Sequence, residues 1–394
     1  MSAKKIKELI FAAAREEGFH RASIGSLEPL SDAARSYEEW LDRGFAAGME
    51  YLKRNSRLRT SPQLLYPGSR SAIIVAVSYY NQLPADVSFP SAGRVARYAV
   101  GLDYHAVIRA RLRNLKTRIE VQLGRPLIAK AYTDDVALHE QSFASRHGIG
   151  FTGRNTMVIG PKLDGSYYFL AELFTDLQLE ADEPYEGTCG SCFRCGVGCP
   201  TQAITADGHV DANLCISYLT IENRAGIPLA LRQSIGSWLF GCDVCQEVCP
   251  YNQRPPQTMW EEFKPEKGVG HEVDLCRILD IADDTEFTKR FGHTPLRRPK
   301  RRGLLRNALV VAGNHLREIS KKSAVSKSES LWSQAVTEKL QRLAKAEPDA
   351  MLREHAFWAL TFSSLVPTTR LDQMVRDERD FAAAKMMQEV LKCR

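Results

Sequence analysis

The order of apolar and polar positions gives the chain three textures. Before residue 180, helical periodicity alternates with short β-branched runs. Ser71 to Tyr80 (SAIIVAVSYY) and Thr156 to Gly160 (TMVIG) read as strands, and Tyr104 to Leu123 between them reads as a helix. Such alternation predicts a sheet covered by helices. Asp103 precedes that helix as an N-cap candidate, because a short side-chain oxygen there satisfies an amide the first turn leaves open. Met1 to Phe19 interleaves Lys4, Lys5, Glu8, Arg15 and Glu16 with Ile6, Leu9, Ile10 and Phe11. It therefore predicts an amphipathic helix, not the unbroken apolar core of a signal peptide.

From Pro184 to Pro256 the chain is rich in Cys, Gly and Pro, with Ile227 to Leu239 as a helix-like stretch. That texture suits a small module organised around metal rather than a large apolar core. After about residue 300 helical periodicity returns. Arg306-Asn307-Ala308-Leu309-Val310-Val311-Ala312-Gly313 and Arg353-Glu354-His355-Ala356-Phe357-Trp358-Ala359-Leu360 each place an Arg before an apolar stripe. Their separation, from 306 to 353, fits the long end of a HEAT-type repeat. The expected fold class is α+β. Residues 1–180 form an N-terminal α/β domain, 181–285 a two-cluster ferredoxin-like module, and 286–394 a helical HEAT-like region.

Composition changes this picture only in places. With 394 residues, 44% apolar and 25% charged, the chain has material for two or three folded domains and no disordered signature. Apolar runs such as Ala72 to Val77 are far shorter than the roughly 20 residues that span a bilayer. With no membrane span and no export signal, the expected location is cytoplasmic. Net charge is +6, but twelve Lys/Arg against one acid, Glu318, lie between Thr288 and Lys327. That concentration points to a polyanionic partner.

Eight of the ten cysteines carry the chemistry. Cys189-x2-Cys192-x2-Cys195-x3-Cys199-Pro200 has the spacing of a bacterial ferredoxin run, the handing-over of its fourth cysteine to a second cluster included. An incomplete copy follows as Cys242-x2-Cys245-x3-Cys249-Pro250, with Cys215 before it. Exchanging the last ligand of each run gives one [4Fe-4S] cluster on Cys189, Cys192, Cys195 and Cys249 and another on Cys199, Cys215, Cys242 and Cys245. Paired structural zinc sites are the alternative, though they normally use CxxC pairs. Cys276 and Cys393 are left over.

Two clusters form a wire and imply an acceptor that the residues alone do not name. Gly148-Ile149-Gly150-Phe151-Thr152-Gly153 matches a dinucleotide fingerprint, but a helical stretch, Val136 to His147, leads into it where a strand is required. Asp103-Tyr104-His105 starts like a cobalamin-coordinating D-x-H-x-x-G, yet Ile108 stands in the glycine position.

Several segments together resemble the epoxyqueuosine reductase family: Arg59-x2-Pro62 leading to Pro67-Gly68, Asp103-Tyr104-His105, and Asp134 followed by Gly148-Ile149-Gly150-Phe151-x3-Asn155. Gly165-Ser166-Tyr167, both cysteine runs, Cys215-Ile216-Ser217-Tyr218-Leu219-Thr220 and Gly241-Cys242-Asp243 continue it. The resemblance implies a cobalamin-dependent enzyme that reduces epoxyqueuosine to queuosine at the wobble position of tRNA. It implies base-off cobalamin and electrons arriving through the clusters from an external donor; separately, a cluster-bearing chain with a covered cofactor can act alone, so a monomer is expected. Arg59, Ala96, Asn155, Ser166, Leu170, Ser217, Gly241, Cys242, Asp243 and Val244 would line the cofactor, with Asp134 as proton donor. Asp135 follows where the family has Ser or Thr, so the two carboxylates compete for that role, and on a strand they would point opposite ways. Asn223, Arg297, Arg298, Lys300, Arg301, Arg302 and Arg306 would meet tRNA. Rival readings are a reductive dehalogenase of a small molecule and a non-catalytic electron carrier.

Overall fold

The computed structural model describes residues 2–83 and 90–392, so Cys393 lies outside the described residues. The chain forms two compact units. The first gathers Met1–Gln82, Gly101–Asn213 and Asp243–Gly268; the second gathers Leu83–Val100, Leu214–Cys242 and Val269–Arg394. In chain order the strands are β1 (Arg21–Gly25), β2 (Ser71–Ser78), β3 (Ala92–Val95), β4 (Ala129–Tyr132), β5 (Phe151–Thr152), β6 (Val158–Ile159), β7 (Tyr168–Thr175), β8 (Trp238–Phe240) and β9 (Glu272–Asp274).

The first unit is built on an antiparallel sheet of order β1-β2-β7-β4. Every residue of β2 is buried, which is why its sequence is an unbroken apolar run rather than an alternation. On β7, successive side chains alternate faces. Phe169 stacks on Tyr104, the first residue of the helix Tyr104–Leu123. Leu170 and Phe174 instead join a core with Ile74, Tyr132 and Phe143, the last from the helix Glu140–Arg146. Glu172 shares that second face.

The helix Tyr104–Leu123 forms as its pattern predicts, burying Ile108, Leu112, Leu115 and Ile119 at helical spacing. Asp103 caps it by accepting from the His105 amide, and Gly124, at φ +65°, ends it in the left-handed region that glycine enters freely. The expected helix near the N-terminus spans Ala3–Glu16. The forecast strand at 156–160 shrinks to β6, since Thr156 turns to φ +64°. The strand expected to carry Asp134 stops at Tyr132.

The second unit holds the sheet β8-β3-β9 and the C-terminal helices. Ile227 to Leu239 is not one helix. A turn of helix, Leu229–Arg232, is followed by Gly236 at φ +59°, and the apolar Trp238-Leu239-Phe240 enters the sheet as β8. Five helices close the chain: Lys300–Ser320, Lys327–Ala346, Ala350–Leu360, Thr368–Asp377 and Phe381–Lys392. The second begins with a capping box in which Ser326 and Glu329 satisfy each other's amides. The first packs on the third, and fifteen of its residues are buried. No helix among the described residues is long and apolar enough to cross a membrane.

Candidate active site and cluster pocket

The turn after β4 concentrates acid. Asp134 takes φ +53°, a left-handed conformation that costs a non-glycine residue about 1 kcal/mol and that Asp tolerates better than most. It is pinned from both sides. Its amide donates to Glu140 Oε1 at 2.6 Å, and its Oδ2 accepts from the Tyr104 hydroxyl at 2.5 Å. His105 Nε2 lies 3.9 Å from the same oxygen, while His105 Nδ1 faces Asp103 Oδ1 at 2.7 Å. Asp135 is handled differently. Its Oδ1 accepts from the Thr133 amide at 3.0 Å, and Arg109 stands 3.5 Å from its Oδ2. The two carboxylates thus separate, as expected, but through a turn rather than a strand's alternation. Asp134 keeps a side chain 64% exposed, facing a phenol and an imidazole, whereas Asp135 faces a guanidinium.

Two further carboxyls lie behind this turn, and sequence reasoning missed both. Glu172 is wholly buried on β7 and neither of its oxygens has a hydrogen-bond partner. Burial, then the charges of Asp134 and Asp135, push it up to about 8. Glu140 is raised as well, by burial and then by Glu172 and Asp134. The available signal was a lone acid between Leu170 and Phe174 on an otherwise apolar strand face.

The first unit also forms a recess lined by Cys189, Cys192, Cys195 and Cys249 with Arg154, Asn155 and Tyr251. Burial pushes the thiols of Cys195 and Cys249 up, and the neighbouring cysteines add to it, so the four sulfurs share one environment. The Arg154 amide points at Cys189 Sγ from 3.5 Å, the backbone-to-sulfur donation that cluster thiolates use. Among the described residues no three His, Cys, Asp or Glu side chains are arranged to hold a single metal ion. A set of four soft thiol donors around a recess fits an iron–sulfur cluster. Of the second expected set, Cys199 and Cys245 belong to the first unit, Cys215 and Cys242 to the second. The Ala203 amide donates to Cys199 Sγ at 3.4 Å.

The residues expected to line a corrinoid fall in both units. In the first, Arg59 has a buried Nε without a hydrogen-bond partner, a donor suited to the amide-rich rim of such a ligand. Ser166 is already engaged: its hydroxyl donates to Gln246 Oε1 and accepts from Asn252 Nδ2, both at 2.9 Å. Asn155 is buried and reaches the Cys245 carbonyl at 3.5 Å, Asp243 is buried, and Leu170 and Val244 are half-buried. In the second unit, Gly241 sits at φ +68° with its amide on Thr220 Oγ1, and a Cβ there would come within 2.6 Å of the Ala96 Cβ. Only glycine fits that approach. Ser217 and Cys242 are half-buried nearby in sequence.

The basic segment is less bare than its sequence. Arg298 pairs with Glu222 at 2.7 Å, Arg301 with Glu347 at 3.0 Å and Arg302 with Asp349 at 2.5 Å. Arg306 is wholly buried and donates to the carbonyls of Leu219, Asn223 and Ala225 and to Asn307. Its expected phosphate contact is therefore corrected, because its donors are spent inside the fold. Asn223 is also buried, its side chain bonded to Gly226 O and Ala225 N. Arg297 and Lys300 are exposed.

Residues 188–252, which hold all eight expected ligand cysteines, match the 4Fe-4S double cluster binding domain, so the chain is in class an iron–sulfur redox protein. Residues 59–135, which hold the Asp134 turn, match the family described as epoxyqueuosine reductase QueG. Epoxyqueuosine reductase of Vibrio cholerae is 34% identical over 88% of each chain, and that of Pseudomonas aeruginosa 35% identical over 88% of this chain and 91% of its own. A crystal structure of epoxyqueuosine reductase with a tRNA-Tyr epoxyqueuosine-modified stem loop superposes with TM-score 0.85 at 26% identity, over 99% of both chains. A Bacillus subtilis epoxyqueuosine reductase whose catalytic aspartate loop is swung out of the active site gives TM-score 0.84, again at 26% identity over 99% of both. The chain belongs to the epoxyqueuosine reductase family and is an oxidoreductase.

Proposed function

We propose that this oxidoreductase reduces epoxyqueuosine to queuosine at the wobble position of tRNA, with Asp134 as the proton donor. The carrying observation is the turn after β4, where Asp134 is held by Tyr104 and Glu140 with its carboxyl open to solvent. The division of labour follows the chain: 1–180 for catalysis, 181–285 as a ferredoxin-like two-cluster module, and 286–394 as HEAT-like helices for tRNA. When bound, a corrinoid held in the first unit by Arg59, Asn155, Leu170 and Asp243 would supply a low-valent cobalt, fed with electrons through the clusters from an external donor.

The chain's own residues manage position and protons. Opening the epoxide leaves an oxygen that departs only when protonated, and a positioned acid contributes about 10²–10⁴-fold to such a step. Once Asp134 has given its proton, the Tyr104 hydroxyl already donates to the carboxylate left behind. Tyr104 is fixed in turn by stacking on Phe169, at 4.4 Å between ring centroids. Arg297, Arg298 and Lys300 lie exposed and would meet phosphate, positioning the RNA without reading its sequence. Asp134 would meet an unstacked anticodon base. The enzyme would act as a cytoplasmic monomer.

Anaerobic purification and reconstitution with iron, sulfide and cobalamin test the reading. About eight irons, four for each cubane, and one cobalt per chain are expected. Eight irons without cobalt would reduce the protein to an electron carrier, and zinc in place of iron would overturn the cluster assignment.

A further inference from the structure

Glu172 sits between Leu170 and Phe174 on a face of β7 that otherwise joins an apolar core. Across the sheet it is opposite Ile74 on β2 and Tyr132 on β4. It is 0% exposed and neither oxygen finds a hydrogen-bond partner. Among the described residues the charges that act on or feel it are acids: Asp134 and Asp135 from the turn after β4, and Glu140 from the helix Glu140–Arg146. A carboxylate so placed would have neither donor nor counterion, so the side chain keeps its proton at neutral pH. Glu140, whose Oε1 accepts from the Asp134 amide, lies close enough to Glu172 to feel its charge.

Reducing an epoxide to an alkene breaks two C–O bonds, takes up two electrons and two protons, and releases the oxygen as water. Asp134 can give one proton. The second must reach the same oxygen from a group that is still protonated at neutral pH and close to the turn. We propose that Glu172 stores that second proton and passes it to Asp134, acting as a positioning residue for the proton supply and not as a group that touches substrate. This rests on the reading of Asp134 as proton donor. The transfer balances: Glu172 goes from acid to carboxylate as Asp134 goes from carboxylate to acid, while the electrons come through the clusters. Water restores both protons through the exposed Asp134 carboxyl after the RNA leaves.

The test uses full-length Glu172→Gln, which keeps shape and neutrality but cannot supply the proton, with Glu172→Asp as the conservative variant and Asp134→Ala as the control. Infrared difference titration of the protein without corrinoid should show a carboxylic acid band that is lost toward alkaline pH in the wild type and missing in Glu172→Gln. With the loaded enzyme and a modified tRNA stem loop, Glu172→Gln should bind as the wild type does. Its single-turnover rate should fall roughly tenfold or more, and it should lose the alkaline limb that follows the band. Glu172→Asp should recover part of the rate. A wild-type rate and pH profile in Glu172→Gln, or a band unchanged by the substitution, overturns the proposal. If Asp134→Ala is inactive while Glu172→Gln is normal, only the role of Glu172 fails. If Asp134→Ala is itself active, the donor assignment fails and takes this inference with it.

Discussion

Arg232 and Glu354 in the second unit and Glu172 in the first are all removed from water, but only the former have partners. Arg232 meets Glu354 with two bonds of 2.8 and 2.7 Å and spends its Nε on the Ile227 carbonyl. His355 sits against the same carboxylate at 2.8 Å and accepts from the Ile227 amide with its other nitrogen. Arg306 is equally satisfied. Glu172 has no such arrangement, and the neighbouring Asp134 is held in a left-handed backbone. Fully paired buried charge fixes one arrangement of chain, whereas a buried acid without partners, kept neutral by its proton beside a strained turn, destabilises the fold and is tolerated where chemistry needs it.

The largest expected effect lies at the strained turn. Asp134→Ala should lower turnover by about 10²–10⁴-fold with iron and cobalt retained, while Asp135→Ala, which removes a partner of Arg109, should stay within a few-fold of wild type. Equal activity in the two variants would erase the distinction between these carboxylates. Next in size, Glu354→Ala leaves Arg232 buried and unpaired and should cost about 3–5 kcal/mol in denaturant unfolding, with turnover per folded molecule unchanged. Burial alone would raise Glu354, but His355 and Arg232 outweigh it and hold the carboxyl at about 2. Its contribution is therefore complete above the ordinary value of 4.5 and should drain away as pH falls toward 2.

Tyr104→Phe keeps the ring on Phe169 and removes one hydrogen bond to a carboxylate, so turnover should fall about tenfold with little change in melting temperature. At Glu172 the effect is on stability and is set by pH. Between pH 4.5 and about 8 the unfolded chain releases this proton while the folded chain keeps it, so stability falls as pH rises through that window. Glu172→Gln should remove the fall and raise the melting temperature more at pH 8 than at pH 5. A variant less stable than wild type at both would mean that Glu172 is a paired, structural acid after all.

The cluster residues were legible because ligand spacing is local chemistry, and β2 and the helix Tyr104–Leu123 because their periodicity is strong. The family likeness rested on the same short motifs. What escaped depended on contacts distant in sequence. The basic segment counted one acid within its own window, yet Glu222, Glu347 and Asp349 reach it from outside. Arg306 carries the same charge as its exposed neighbours, and only packing shows it to be a fastener. Glu172 left only the mark of a lone acid between Leu170 and Phe174, because Tyr168 to Thr175 is too short and too mixed to assign a face without its partners Ile74 and Tyr132.

The proposed cluster-fed reduction stands or falls with Asp134 as its acid. Its most direct test is a single-turnover assay of reconstituted protein on an epoxyqueuosine-containing tRNA stem loop, read by mass spectrometry of the modified nucleoside. The wild type should convert it to a product lighter by one oxygen, and Asp134→Ala with the same iron and cobalt content should leave it unchanged. Conversion by Asp134→Ala at the wild-type rate would contradict the account.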